Sequence, residues 1–294
     1  MRDQINADTG ADLPSHMRTP TKIGDEITIT GKWVPRHPRG LFRKSTDAQN
    51  MVQEWEDIHK GAKSDPGVLS TEINLAVGED AVLINHVFKS PKALTQYFST
   101  TATQHMAALT NVATPKLHMV RGTAIPAAVT KTLAAKGVPA VFGDHLFGFV
   151  KDDYRRPDPK SAIQVTAKWA CKPDEASKIN ALIHWWQQVG TDAYGMEKGL
   201  LRFETYRVHG EAAVIVHETF ENTAELQFHL AKGTAHKYKK DIDQIAVPVD
   251  YYFRGPVSWA IRTYSKFLRL PATYSRQGSH FTQSGGSMSE GTIG

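Results

Sequence analysis

One pattern occurs twice in the chain, as Val82-Leu-Ile-Asn-His-Val-Phe-Lys-Ser-Pro-Lys-Ala-Leu94 and as Val214-Ile-Val-His-Glu-Thr-Phe-Glu-Asn-Thr-Ala-Glu-Leu226. In both stretches an apolar run ends at a phenylalanine, a short polar turn follows, and a leucine comes soon after. An apolar run that stops at turn residues predicts a strand. Ser or Asn followed by helix-forming residues predicts a capped helix start. Each stretch is therefore a strand, a tight turn and a helix.

Further matches keep the same order, at separations between 131 and 136 residues. They pair Thr28–Trp33 with Gln164–Trp169, Leu69–Glu72 with Leu201–Glu204, Val120–Gly122 with Phe253–Gly255, and Val138–Ala140 with Leu270–Ala272. Repeats that build solenoids are roughly 20–50 residues long, so a period this large indicates a duplicated domain.

Hydrophobic periodicity gives both copies the order β-α-β-β-α-β, followed by one extra helix. In the first copy the predicted elements are strand 26–34, helix 47–60, strand 68–75, strand 81–88, helix 91–108, strand 116–121 and the extra helix 126–135. In the second copy they are strand 162–169, a helix opening at Pro173, strands 200–208 and 212–220, a helix from 222 or 223 to about 240, strand 245–253 and the extra helix 257–268.

The predicted fold class is α+β, with two tandem ferredoxin-like domains in one chain. A ferredoxin-like sheet covers one face with helices and leaves the other bare. Both hairpin strands, however, carry apolar residues on both faces, as in Val82-Leu-Ile84. We therefore expect the two bare faces to pack on each other as a barrel within the chain. The expected domains are a disordered tail 1–24, a first domain 25–150, a linker 151–161, a second domain 162–274 and a disordered tail 275–294.

Composition narrows the function class. The net charge of +5 and the isoelectric point near 9.1 are mild, and basic residues form no long stripe, so nucleic-acid binding is not expected. The single cysteine, Cys171, excludes an intrachain disulfide. No apolar run approaches the roughly 18 residues of a membrane span, and no signal peptide is visible, so we expect a cytoplasmic protein. Phosphate-binding and classical hydrolase motifs are absent.

The two quoted stretches, which continue to His105 and His236, resemble the dimeric α/β-barrel superfamily, and within it the antibiotic-biosynthesis-monooxygenase-like domains. The resemblance covers roughly residues 26–122 and 162–255. It implies an intrachain dimeric α/β barrel. The superfamily includes cofactor-independent oxygenases of aromatic substrates, haem-degrading enzymes and proteins without catalysis. The haem-degrading members bind iron through a histidine on the second helix and also use an asparagine and a tryptophan, neither of which we find at the matching positions.

Four histidines are the candidate catalytic residues. His86 and His217 lie on the hairpin strands, in the polar pairs Asn85-His86 and His217-Glu218. A histidine there could deprotonate a phenol or catechol, whose anion can react directly with dioxygen. A hydrogen-bonded core histidine is an equally good interpretation. His105 and His236 lie near the end of the second helix, where a solvated or dipole-stabilised histidine is the simpler interpretation.

Six further residues are candidates for substrate binding. The set is Trp33, Trp169, Asn85, Tyr97, Arg121 and Arg254. For the tryptophans core packing is the more common role. The arginines could bind an anionic substrate group or pair with a carboxylate across the interface between the copies. Glu72 and Glu204 also match, and they would orient the histidines or face solvent. No metal site is expected.

Three functions stay open from the sequence. The first is a cofactor-independent monooxygenase that uses dioxygen on a hydrophobic or aromatic small molecule, with one of the two copies active. The second is a haem-binding or haem-degrading protein. The third is a non-catalytic ligand-binding or assembly protein, in which large apolar side chains fill both copies. A homodimer of the two-domain chain is a further expectation, with no membrane partner.

Overall fold

The computed structural model describes residues 13–17, 24–37, 46–151, 160–276 and 279–282. Most of the predicted N-terminal tail, linker and C-terminal tail lies outside these residues. The described parts of the two tails are structured. Met17 is buried in the core of the second copy, and residues 279–282 form a strand. The predicted disorder therefore does not extend to these two segments.

The first copy contains the predicted order of elements, with two additions. Its elements are β1 (Ile27–Pro35), α1 (Thr46–Lys63), β2 (Val68–Leu75), β3 (Val82–Phe88), α2 (Pro91–Ser99), α3 (Thr103–Val112), β4 (Ala113–Gly122), α4 (Ala127–Ala135) and β5 (Ala140–Val150).

The second copy repeats this order. Its elements are β6 (Ile163–Cys171), α5 (Ile179–Met196), β7 (Leu200–Val208), β8 (Ala213–Phe220), α6 (Thr223–Ala231), α7 (Thr234–Ile245), β9 (Ala246–Arg254), α8 (Trp259–Phe267) and β10 (Ala272–Ser275). A short 3-10 helix (Pro173–Lys178) precedes α5, and strand β11 (Ser279–Thr282) follows β10.

The turn residues of the repeated stretch cap helices, as the sequence predicted. The Ser90 side chain accepts a hydrogen bond of 3.2 Å from the backbone N–H of Ala93, and Pro91 occupies the first turn. The Asn222 side chain accepts bonds of 2.9 and 3.2 Å from the N–H groups of Ala224 and Glu225. These bonds satisfy backbone donors that have no partner within the helix, so the strand-to-helix turn is set locally in both copies.

The single second helix predicted in each copy is wrong, because two helices occupy that stretch. In the first copy α2 ends at Ser99, and the backbone of the next residue, Thr100, leaves the helical region at φ −123° and ψ −81°. In the second copy the break falls at Lys232 and Gly233. The break turns α3 and α7 relative to the helices before them, so residues on either side of it do not share one helical face.

The extra helix of each copy leads into a strand that the sequence analysis did not predict. β5 pairs parallel with β4 of its own copy and antiparallel with β7 of the other copy. β10 pairs parallel with β9, and its residue Ser275 bridges Ala76, just after β2. The strand order is β10-β9-β6-β8-β7-β5-β4-β1-β3-β2-β11. The ten strands β1–β10 therefore form a nearly closed barrel, and the predicted intrachain dimeric α/β barrel is confirmed.

Alternation along the strands separates two environments. On the outer face, the helices of each copy cover an apolar core of their own, built in the first copy around Trp33, Trp55 and Phe88 and in the second around Trp169, Trp186 and Phe203. The inner face lines the barrel, where a smaller apolar cluster includes Leu83, Met119, Tyr206, Ile215 and Tyr252. Each strand residue thus faces either the helices or the barrel interior. Within the described part of the chain, no helix is long and apolar enough to cross a membrane.

Candidate functional site

A pair of tryptophans packs edge to face under the first helix of each copy. The rings of Trp33 and Trp55 lie 5.6 Å apart at 69°, and those of Trp169 and Trp186 lie 5.6 Å apart at 61°. A third ring completes each group, from β4 in the first copy and from β9 in the second. In the first copy it is His118, 5.7 Å from Trp33, and in the second it is Tyr251, 6.0 Å from Trp169. The duplication has thus kept the aromatic group and changed its third member.

His86 extends the aromatic group of the first copy. Its side chain is on the helix-facing side of β3, 5.7 Å from the ring of Trp55 and 6.2 Å from the ring of Tyr97. Tyr97 comes from α2, so the sheet and the second helix region meet at this histidine. Of the candidates named from the sequence, Trp33, His86 and Tyr97 therefore belong to one cluster.

This cluster contains an unusual concentration of buried polar atoms. Among the described residues, no hydrogen-bond partner is present for the following atoms: Trp33 Nε1, Trp55 Nε1, Thr71 Oγ1, His86 Nε2, Tyr97 Oη and His118 Nε2. Buried polar groups are nearly always hydrogen-bonded to protein or to ordered water. Six such atoms in adjoining side chains therefore indicate a place for water or a polar ligand. We call these six residues the histidine–tryptophan cluster.

Both strand histidines of the cluster are neutral at pH 7. Burial, together with the nearby His59 and His118, lowers the pKa of His86 to about 3. Burial lowers the pKa of His118 to about 4. His118 donates from Nδ1 to the carbonyl of Lys116 over 2.7 Å. Its Nε2 is consequently the unprotonated nitrogen, which can accept a hydrogen bond. Burial, with a smaller contribution from Asp65, raises the pKa of Tyr97, so this phenol stays protonated and can donate.

The second copy carries a closed ion-pair group in the same place. His229 Nδ1 lies 2.7 Å from Glu197 Oε2, and His229 Nε2 lies 3.1 Å from Glu218 Oε1. Burial alone would lower the pKa of His229, but the two carboxylates outweigh it and raise the pKa to about 10. Glu197 also accepts from the backbone N–H and the hydroxyl of Thr234 over 2.6 and 2.7 Å. This imidazolium has both nitrogens engaged.

The two groups correspond position by position. His86, Tyr97 and Asp65 are each 132 residues before Glu218, His229 and Glu197. The same offset pairs Thr71 with Phe203, a large side chain that is fully buried in the second copy. Phe203 packs so closely on α5 that a Cβ added at Gly190 would lie 2.6 Å from its ring. The second copy therefore fills with an aromatic ring the place where the first copy has a threonine hydroxyl.

The other inward candidates are in the barrel interior, on the opposite face of the sheet from His86. Thr30 donates to Asn85 Oδ1 over 2.8 Å and accepts from Arg121 Nη2 over 3.0 Å. His217 Nδ1 lies 3.0 Å from the hydroxyl of Thr166, and burial together with three arginines holds the pKa of His217 well below its usual value. The structure thus separates His86 from His217.

Arg254 pairs across the interface between the copies. It donates from Nη1 to Glu72 Oε2 over 2.7 Å and from Nη2 to Gln164 Oε1 over 2.6 Å. The matching Glu204 of the second copy is bound instead by Arg202 and by the hydroxyl of Tyr206, both from its own strand. The two matched glutamates therefore stabilise the inside of the barrel and do not contact His86.

His105 and His236 do not reach the histidine–tryptophan cluster. His105 is 35% exposed and lies 3.2 Å from Glu54 on the outer side of the helices, and His236 is exposed. Both follow the helix break, so their helices present different faces from α2 and α6. Tyr97 and His229 are the second-helix residues that face the sheet. No group of three or more His, Cys, Asp or Glu side chains suited to a metal ion occurs in the described residues.

Sequence reasoning missed several residues of the site. His118 follows the helix-facing alternation of β4, and its ring crosses over Gly31, where an added Cβ would lie 2.0 Å from Cδ2. The second copy has Ala167 opposite Tyr251 at these positions. At each of its three positions the Glu197–His229–Glu218 group has a different residue from its counterpart in the first copy. Comparing the copies at an offset of 132, whatever the residue identity, would have found it.

Comparison with known proteins supports the fold. No family model and no curated protein sequence matches the chain. A solved structure from Fusobacterium nucleatum, of a protein described as a candidate monooxygenase, matches with a TM-score of 0.50 and 13% identity, covering 77% of this chain and 90% of that one. An anthrone oxidase-like protein matches with a TM-score of 0.47 and 10% identity, over 81% of this chain and 92% of the other. A cofactor-independent oxygenase from Streptomyces nogalater matches with a TM-score of 0.28 and 14% identity, over 33% of this chain and 91% of its own.

Proposed function

Starting from the dimeric α/β-barrel fold, we propose that the chain is an oxygenase that needs no bound cofactor and acts on a hydrophobic aromatic small molecule at the histidine–tryptophan cluster. The observation that carries the proposal is the set of six buried polar atoms without partners, enclosed by aromatic rings. Rings provide apolar contact for a flat substrate. The polar atoms would fix its orientation and satisfy its hydroxyl or carbonyl groups.

His86 is the proposed general base. Its low pKa keeps the imidazole in the neutral, proton-accepting form at pH 7. Transfer of a proton from a phenol or an activated C–H group leaves an anion beside the new imidazolium. Each charge then stabilises the other, which offsets the burial that lowers the pKa of the free site. The N–H groups of Trp33 and Trp55 and the hydroxyl of Tyr97 are donors positioned to stabilise that anion.

The anion supplies the electrons for the reaction with dioxygen. One electron passes from the substrate anion to dioxygen, and the resulting radical and superoxide combine to form a carbon–oxygen bond. The imidazolium returns its proton to the peroxide. Cleavage of the O–O bond with loss of the second C–H proton then gives a carbonyl and one molecule of water. One oxygen atom enters the product, the other leaves as water, and the substrate CH2 group is the reductant.

The same chemistry is not proposed for the second copy. His229 already carries a proton and is held between two carboxylates, so it cannot accept another. Phe203 occupies the place of Thr71, which removes space as well as a polar group. This asymmetry also argues against a purely structural role, for which we expected large apolar side chains to fill both copies.

A haem-binding role receives no support from the side chains. His105 and His236 lie on the outer side of the helices, and both nitrogens of His229 are in ion pairs. Tyr97, from α2, contacts His86 in the first copy. The second-helix region therefore presents no unengaged histidine toward the sheet in the described residues, and we derive no step through haem.

The proposal is tested by measuring oxygen uptake by the protein with a panel of polycyclic phenols that tautomerise to a ring ketone with an activated CH2 group. Isotopically labelled dioxygen should place one label in the product and one in water. His86→Phe keeps an aromatic ring and removes the base, so turnover should fall by about 100-fold or more. Thr71→Phe copies the second copy and should block substrate binding. His236→Gln is the control. Turnover that persists without dioxygen, or undiminished turnover in His86→Phe, would refute the proposal.

A further inference from the structure

Among the described residues, the middle of the barrel interior holds more positive than negative charge. Three arginines meet there with two glutamates: Arg121, Arg202 and Arg254 with Glu72 and Glu204. His217 lies among the arginines and is neutral, because burial and their charges hold its pKa well below the usual value. Farther along the barrel, Lys32 and Lys168 have glutamate partners of their own, and Asp250 lies near both lysines. Within the part of the chain that the structure describes, the arginine level therefore has three cations and two carboxylates.

Among the described residues, Arg121 is the arginine of the three that has no carboxylate bound to it. Arg254 is bound to Glu72, with 2.7 Å between Nη1 and Oε2. Arg202 is bound to Glu204, with 2.6 Å between Nη2 and Oε2. Arg121, by contrast, has one hydrogen bond, to the hydroxyl of Thr30, among the described residues. The guanidinium carbon lies 5.7 Å from the ring centre of Tyr206, a contact that stabilises a cation only weakly.

The duplication explains how this imbalance arises. Arg121 and Arg254 are repeat partners, and so are Glu72 and Glu204. A symmetric barrel would pair Arg121 with Glu204, as Arg254 pairs with Glu72. Arg202, whose counterpart in the first copy is the uncharged Ser70, occupies Glu204 instead. The second copy has thus added a cation to the barrel without adding a carboxylate.

Such an arrangement needs a counter-charge. The side chain of Arg121 is 2% exposed, and a buried charge without a partner strongly destabilises a fold. An arginine does not lose its proton near neutral pH, so its side chain keeps the positive charge. The Nε groups of both Arg121 and Arg254 are buried with no acceptor among the described residues. These N–H groups can only donate, so what is missing at this level is an acceptor that carries negative charge.

We infer that the barrel interior binds a small monovalent anion, halide or carboxylate, against Arg121. We expect the anion to enter at the end of the barrel where the side chains of Glu72 and Arg202 are 24% and 27% exposed. The anion would take the place that Glu204 leaves open and complete the pairing of the three arginines. This site is on the opposite face of the sheet from His86, and it stands independently of the proposed oxygenase activity.

The test is thermal unfolding of the full-length protein titrated with chloride, formate or the bulky anion gluconate at constant ionic strength. Ligand that binds only the folded state raises the unfolding temperature with saturation, and we expect a rise of about 2–5 °C with chloride or formate. Comparing the rise in unfolding temperature with chloride and with formate distinguishes a halide site from a carboxylate site. An equal rise in gluconate would assign the effect to general ionic strength and overturn the inference.

Two variants test whether the anion binds against Arg121. Asn85→Asp preserves shape and adds a carboxylate that shares the hydroxyl of Thr30 with Arg121. It should raise the unfolding temperature at low chloride and remove the anion response. Arg121→Gln removes the excess charge and should also abolish the response. Lys237→Gln, which changes an exposed ion pair, is the control. An anion response as large as that of the wild type in both Asn85→Asp and Arg121→Gln would overturn the inference.

Discussion

Replacing His86 by phenylalanine should remove part of the acid sensitivity of the fold. In the folded chain the pKa of His86 is lowered from 6.5 to about 3 by burial, with His59 and His118 nearby. The unfolded chain protonates this side chain near its ordinary pKa. Below that pH the unfolded state therefore binds more protons than the folded state, and the free energy of unfolding falls as the pH falls through 6.5.

The magnitude follows from the two pKa values. A histidine titrating near 6.5 when unfolded and about 3 when folded lowers the free energy of unfolding by about 2 kcal/mol between about pH 7 and pH 5. His118, with a folded pKa of about 4, should contribute a similar loss of about 2 kcal/mol. His229 acts in the opposite direction, because its raised pKa gives a stabilisation that is fully present below about pH 6.5 and is lost progressively as the pH rises from there toward 10. This contribution is the same in the wild type and in His86→Phe, so it cancels from their comparison.

The measurement is urea unfolding followed by tryptophan fluorescence at several pH values across this range. We expect His86→Phe to lose about 2 kcal/mol less than the wild type on acidification. Its apolar contacts with Trp55 and Tyr97 keep the ring in place. His236→Gln changes an exposed histidine and serves as the control. If the wild type and His86→Phe lose the same free energy between neutral and acid pH, His86 is not held neutral in the fold and the reasoning is wrong.

Two further changes test the packing and the ion pairs. Gly31→Ala would bring a methyl group to 2.0 Å from the His118 ring, so we expect urea unfolding to show a free energy of unfolding lower by about 1–3 kcal/mol. The matched control Ala167→Gly should lower it by about 1 kcal/mol or less. Equal losses in the two variants would contradict the close approach. Glu197→Gln leaves His229 with one carboxylate and should destabilise the fold by about 3–5 kcal/mol. The stabilisation that the wild type loses as the pH rises from neutral toward 10 should shrink in this variant; an unchanged alkaline profile would contradict the assigned ion pair.

The barrel could be predicted because the sequence features that indicate it are local or occur in both copies. Capping residues such as Ser90 and Asn222 act within three residues of themselves, and apolar positions on both faces of β3 and β8 require two covered faces. The strands β5 and β10 escaped prediction for a physical reason. β10 has four residues, and β5 contains two glycines. Their pairing partners come partly from the other copy, so local propensity carries little information about them.

The site was predicted only in part, because its members are brought together by the fold. Trp33 was named because it is repeated, His86 because it is a polar residue in an apolar strand, and Tyr97 because it is an aromatic residue on the predicted second helix. Which of Asn85 and His86 faces the helices depends on strand register, which sequence alternation alone left open. His118 stands between the apolar residues Leu117 and Met119, so the local pattern does not mark it, and it is adjacent to Trp33 only across the β1–β4 pairing.

The last strand of each copy also contacts the other copy, so the two copies are interlocked. Because β5 joins the strands β4 and β7, and β10 joins β9 to the end of β2, cutting the chain between the copies would not release two complete sheets. Each fragment would expose unpaired backbone at a strand edge, which invites association with another chain. The bridge between Ser275 and Ala76 joins residues 199 positions apart, and contacts of such long sequence separation slow folding. Two fragments expressed together should reassemble, whereas either one alone should aggregate.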